Sequence, residues 1–146
     1  MDSAYSDALE QIAQSVFATM LDMETFRTDR VACFEPGSVL STVHIHGAFN
    51  GDVSLEFDPD MARASAAAMF RLRQEEVTLE DMHDMATELA NMIGGNFKSL
   101  VPGPSSLSLP RVLQNQAGDA EPVAERVVLA SEAGFFEIDL RVLETA

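Results

Sequence analysis

At 146 residues with 47% apolar side chains, the chain is long enough for one hydrophobic core, and no Pro/Gly/Ser-rich linker divides it. Its formal charge of −15, from 24 acidic against 9 basic side chains, argues against nucleic acid and anionic lipid as partners, since both need a cationic surface. Its apolar runs fall far short of the ~20 residues that span a bilayer, which leaves proteins, small molecules and cations as candidate partners.

The acidic start MDSAYSDALEQ has neither the basic region nor the apolar stretch of a secretory signal, so a cytoplasmic protein with no membrane partner is expected. Apolar positions Tyr5, Leu9, Ile12, Val16, Met20 and Met23 recur at helical spacing and predict a first helix over Tyr5 to Met23. An extended segment is expected near Arg30 to Phe34, with the single cysteine, Cys33, as a strand residue; one cysteine excludes an internal disulfide and any CxxC motif. Val39 to Phe49 and Asp52 to Asp58 each alternate apolar and polar residues around Asn50-Gly51, the pattern of a hairpin turning at that dipeptide.

Asp58-Pro59 reads as an N-cap followed by proline at the first helical position, opening a second helix through about Arg71. Thr78, with Glu80 and Asp81 behind it, caps a third helix from Leu79 to about Leu100, where VPGP stops it. SLSLPRVL, ERVVLAS and GFFEIDLRVL read as three further strands. The order of elements predicts an α+β domain over residues 1–146, a mainly antiparallel sheet with long helices packed on it. A weak internal repeat relates Ser6-x3-Glu10 to Asp84-x3-Glu88, although the apolar stripes of the two helices lie on different sides of these lines.

On a wheel of about 100° per residue, Leu79, Met82, Ala86, Leu89, Ile93, Phe97 and Leu100 form the core stripe of the third helix. Asp81, Asp84, Glu88, Asn91 and Gly95 form a line on the opposite face, flanked by Met85 and Met92 as adaptable apolar surface. A Gly-Gly pair inside a helix costs roughly 2 kcal/mol relative to alanines. Gly95 lies on the outward line, where a missing side chain lets another molecule approach, whereas Gly94 points elsewhere, toward packing on the sheet.

The line D-x3-E-x2-N-x3-G, preceded by the IHGAFNGDVSLEFD hairpin and followed by SLSLP, resembles the CheC/CheX/FliY family of chemotaxis phosphatases, CheX-like members most closely. The resemblance covers nearly the whole chain and implies the CheC/CheX-like pseudo-repeat fold. It makes Glu88 and Asn91 the functional pair, with Asp84 at the family's upstream position. Ala13 stands where a second E-x2-N would need Asn after Glu10, so one site per chain is expected.

The substrate that the resemblance implies is the aspartyl phosphate of a CheY-like receiver, which brings its own Mg²⁺ and lysine; the chain itself then needs no cofactor or metal. Asn91 would orient the attacking water, because a carboxamide both donates and accepts and carries no charge to repel phosphate. Glu88 would dock on the receiver lysine, while Asp84, Met85, Met92 and Gly95 would touch the partner. A homodimer joined through sheet edges is also implied. Two other readings stand beside this one: a non-catalytic module that binds a receiver or flagellar-switch protein, and a metal hydrolase using His44 and His46 with His83 among acids, for which no third ligand is apparent.

Overall fold

The computed structural model of the protein describes residues 4–113 and 122–143. Helix α1 (Ala4–Leu21) leads through a short strand β1 (Phe26–Thr28) to the hairpin of β2 (Val39–Gly47) and β3 (Gly51–Phe57). Helices α2 (Pro59–Phe70) and α3 (Leu79–Lys98) follow, with a 3₁₀ turn at Gln74–Glu76 between them, and then β4 (Ser105–Leu107), β5 (Arg111–Leu113), β6 (Glu125–Ala130) and β7 (Phe135–Val142). The strands form one antiparallel sheet in the order β1-β6-β7-β3-β2-β4, with β5 also on β2. This is the α+β architecture expected from the order of elements. No helix among the described residues is long and apolar enough to cross a membrane.

Alternation along the strands gives the sheet two unlike faces. Val43 and Ile45, Val53 and Leu55, and Ile138 and Leu140 are buried in a common core with Leu9, Phe17, Met61, Leu89, Ile93 and Phe97 of the helices. The opposite face carries Thr42, Ser54, Glu56, Glu137 and Asp139, all buried yet polar. Glu56 and Glu137 lie directly opposite each other, a like-charge arrangement that destabilises a sheet when both groups ionise. Burial, then the hydrogen bond to Asp139 and its negative charge, push the Glu137 carboxyl up to about 8, against the attraction of Arg126. Arg126 Nε lies 3.2 Å from Asp139 and 3.4 Å from Glu137, and Ser38 donates to Glu56 at 2.8 Å.

Helices α1 and α2 both close through a non-glycine residue in the left-handed region, Asp22 at φ 51° and Arg71 at φ 58°. The N–H groups that follow, Met23 and Leu72, donate to Phe17 and Ala67 at 3.1 and 3.0 Å, satisfying carbonyls of each last turn. α1 therefore ends at Leu21, short of Met23. Asp58 caps α2 as expected, its carboxylate accepting from Met61 N at 2.8 Å.

Four expectations about the strands need correction. The extended segment forms at Phe26–Thr28 instead of Arg30 to Phe34, because Arg30 N donates to Thr28 Oγ1 at 3.2 Å and turns the chain away from β6. Cys33 is accordingly exposed and outside any strand. The hairpin reverses over His46 to Asn50, with Gly51 already paired to Ile45, so Asn50-Gly51 ends the turn and is not its centre. Gly51 is required by space, since a Cβ there would lie 2.8 Å from Arg141 O.

The segment SLSLPRVL is two strands where one was expected. Leu107 pairs with Ile45, but Val112 pairs with Ser41, so the edge carries one residue more than β2 does. That extra residue is a β-bulge at Leu109-Pro110. Pro110 has no N–H for the ladder. Ser108 holds the junction: its N–H donates to His44 O at 2.8 Å and its hydroxyl accepts from His44 N at 3.0 Å.

Candidate functional site

Helix α3 starts where local chemistry dictates. Thr78 Oγ1 accepts from Asp81 N at 3.1 Å and Asp81 accepts from Thr78 N at 2.9 Å, a reciprocal capping box. Glu80 and Asp81 at this end and Lys98 at the other complement the helix dipole. The inner face buries Met82, Ala86, Leu89, Ala90, Ile93 and Phe97, whereas Leu79 and Leu100, expected at the two ends of this stripe, are exposed. Glu88, Asn91 and Asp84 are exposed on the outer face, with Asp81 and Gly95 half-buried in the same line.

Neither Glu88 nor Asn91 has a side-chain hydrogen-bond or ion-pair partner among the described residues. Their neighbours behave differently. Thr87 Oγ1 donates to Asp84 O at 3.0 Å, Asn96 Nδ2 to Met92 O at 2.8 Å and Ser99 Oγ to Gly95 O at 3.4 Å. Asn91 and Asn96 are the same residue type, both exposed on one helix, yet Asn96 folds back on its own backbone and Asn91 keeps donor and acceptor available. The i, i+3 spacing places the Glu88 carboxylate and the Asn91 amide on neighbouring turns of one ridge.

The two glycines separate cleanly. A Cβ at Gly94 would lie 2.5 Å from Val43 Cγ1, so glycine there is what lets α3 sit so close to β2. A Cβ at Gly95 would meet only Leu107 Cδ2 at 3.8 Å, an ordinary contact. Among the described residues, nothing requires Gly95 to be glycine.

Met85 does not border the site. It is fully buried, because α1, α2 and β2 all pack on α3 and widen its buried arc beyond the single stripe the wheel drew. A role for Met85 in touching a partner is therefore withdrawn. Met92 is half-buried against the core. Strands β4 and β5 also contact α3, with Leu107 lying at Gly94 and Gly95.

On α1, Ala13 is buried, and Glu10 is engaged by Arg27 at 3.3 Å and Gln14 at 3.4 Å, so the corresponding line there serves internal contacts. His44 and His46 stack at 5.6 Å on the sheet face away from the helices, and His44 Nδ1 lies 2.6 Å from Asp52. Half-buried His83 lies on α3, remote from that face. No group of three or more His, Cys, Asp or Glu among the described residues is arranged to hold a metal.

The family model of chemotaxis phosphatase CheX matches residues 39–131. Among solved structures, chemotaxis protein CheX from Vibrio vulnificus superposes with a TM-score of 0.79 at 19% identity, over 96% of this chain and 97% of that one. CheX from Desulfovibrio desulfuricans gives 0.74 at 19%, over 95% and 99%. The CheX-CheY-BeF3-Mg complex from Borrelia burgdorferi gives 0.72 at 18%, over 98% and 100%. Identities this low establish likeness of fold. No curated protein sequence matches the chain significantly.

Proposed function

The chain belongs to the chemotaxis phosphatase CheX family, and from that premise we propose that it hydrolyses the aspartyl phosphate of a CheY-like receiver domain. One observation carries the reading: Glu88 and Asn91 stand on an exposed ridge with their polar groups free among the described residues, one turn before a glycine that internal packing does not require.

In the proposed reaction, water attacks phosphorus opposite the aspartyl oxygen. The new P–O bond forms as the acyl phosphate P–O bond breaks, leaving inorganic phosphate and the receiver carboxylate. The receiver contributes Mg²⁺ and a lysine that neutralise the phosphoryl oxygens. This chain contributes orientation. Asn91 accepts a hydrogen bond from the water through its amide oxygen and offers its NH₂ to a phosphoryl oxygen, without adding negative charge. Glu88, beside an anion it would otherwise repel, pairs with the receiver lysine and fixes the docking angle. Asp84 adds negative charge one turn back, Gly95 gives clearance, and Met92 contributes a partly exposed thioether at the margin.

The proposal extends to a cytoplasmic homodimer, the whole chain acting as one CheX-like domain, with the sheet edge at β1 the candidate for self-association. The test is phosphate release from phosphorylated receivers of the same genome. Acceleration by the wild-type chain supports the reading. Binding without acceleration would make the protein a docking module.

A further inference from the structure

We propose that Leu109 is the apolar anchor that seats the receiver domain beside the Glu88/Asn91 ridge, an inference that rests on the function proposed above. Its placement follows from the contacts on either side of it. Leu107 lies against Gly94 and Gly95, whose Cβ positions would fall 3.5 and 3.8 Å from its methyl carbons. Val112 pairs with Ser41, and Ser41 Oγ donates to Ala86 O at 2.9 Å. The edge therefore runs along α3 from the level of Gly95 back to the level of Ala86. The bulge falls between, opposite Val43, which packs on Gly94 one turn after Asn91.

The bulge changes what this stretch of edge presents. In an unbroken strand, Leu109 would share the helix-facing side with Leu107, two residues before it. The extra residue breaks that alternation, and Leu109 is 86% exposed while Leu107 and Val112 remain half-buried. Bulges at sheet edges commonly re-aim a side chain next to a functional site. Here the side chain is a leucine held out in water on the edge that packs along α3, the helix whose outer line carries Glu88 and Asn91.

The same geometry selects the kind of contact. Pro110 has no N–H, and both the N–H and the hydroxyl of Ser108 are engaged with His44. Residues 108–110 therefore cannot extend a regular ladder to a second copy, and a side-chain contact is what they offer. The ridge itself presents Asp84, Glu88 and Asn91, which complement a cationic active-site rim but contribute interactions that salt weakens. An apolar contact next to them supplies affinity that salt does not screen. The occupant of both surfaces is one body, the receiver.

The experiment compares wild type with Leu109→Asp and Leu109→Met, measuring steady-state phosphate release from a phosphorylated CheY-like receiver of the same genome and titration with that receiver loaded with BeF3 and Mg²⁺. Leu109→Asp is expected to weaken binding and raise KM by about tenfold, with kcat and the melting temperature unchanged. Leu109→Met is expected to restore both constants. Unchanged KM and Kd in Leu109→Asp, beside an active wild type, overturn the anchor and leave the phosphatase reading standing. So does a change in oligomeric state seen by sedimentation, which would assign Leu109 to self-association. A wild type that neither binds nor accelerates any receiver overturns both.

Discussion

The protein holds carboxylates in two contrasting places. On the sheet face away from the helices, Glu56, Glu137 and Asp139 are buried and engaged with Ser38, Arg126 and one another. On the outer line of α3, Asp84 and Glu88 are exposed, and Glu88 has no side-chain partner among the described residues. The first group is tied to stability, since a buried charge without partners costs far more than an exposed one. The second can be changed with little consequence for the fold, which is the property expected of groups kept for another molecule. Substitutions that move one set of measurements and leave the other alone are the sharpest tests of this division.

The largest effect is expected at Asn91. Asn91→Ala should lower stimulated phosphate release by about 100-fold or more, the scale of losing a group that positions the nucleophile, while receiver binding and melting temperature stay near wild type. Glu88→Ala should weaken binding and turnover together. Full activity in Asn91→Ala, measured under single-turnover conditions, would remove the amide from the mechanism.

Gly94→Ala comes next, and its effect should appear in stability. The added methyl would meet Val43 Cγ1 at 2.5 Å between two packed elements. Overpacking costs of about 1–3 kcal/mol work against the ~1 kcal/mol gained from helix propensity, and with a contact this short the net is a loss of up to about 2 kcal/mol, readable as a lower urea midpoint.

The buried carboxylates carry the pH dependence. The folded Glu137 carboxyl, at about 8, holds a proton that the unfolded chain releases near 4.5. A group whose folded pKa is raised contributes stability that is fully present below the unfolded value and lost as pH rises through the folded one. Wild-type stability should therefore decline between about pH 4.5 and 8 from this group alone. Glu137→Gln keeps a neutral side chain that can still donate to Asp139, so it should match wild type near pH 5 and exceed it at pH 8.5. Parallel wild-type and variant curves across that range, measured by urea denaturation, would show that Glu137 does not titrate as described.

What the residues revealed in advance tracks how local each feature is. The Thr78 cap, the Asp58-Pro59 start and the outward placement of Glu88 and Asn91 depend on neighbours within one or two turns, and all were readable. Met85 was misplaced because its burial depends on α1 and α2 packing on the same helix, which periodicity in one segment does not encode. The strand expected near Arg30 formed at Phe26 because β6 sets the register there. SLSLPRVL looked continuous because its alternation survives on both sides of the bulge, and Pro110 was the sign that it is not. The freedom of Asn91 beside the self-bonded Asn96 is a matter of rotamer, invisible in a string of letters.

Gly95→Ala should change stability with the opposite sign to Gly94→Ala. Its Cβ would meet only Leu107 Cδ2 at 3.8 Å, so no neighbour has to move. The substitution should raise stability by about 0.5–1 kcal/mol through the helix propensity that glycine forgoes. If Gly95 keeps that turn of the ridge low for a receiver, the same methyl should raise KM several-fold with little change in kcat, because it stands where the partner's surface comes down and not where the water is held. A stabilised variant with unaltered KM would mean that the partner does not approach α3 at this turn. The docking footprint would then have to be drawn from Asp84, Glu88 and Asn91 without it.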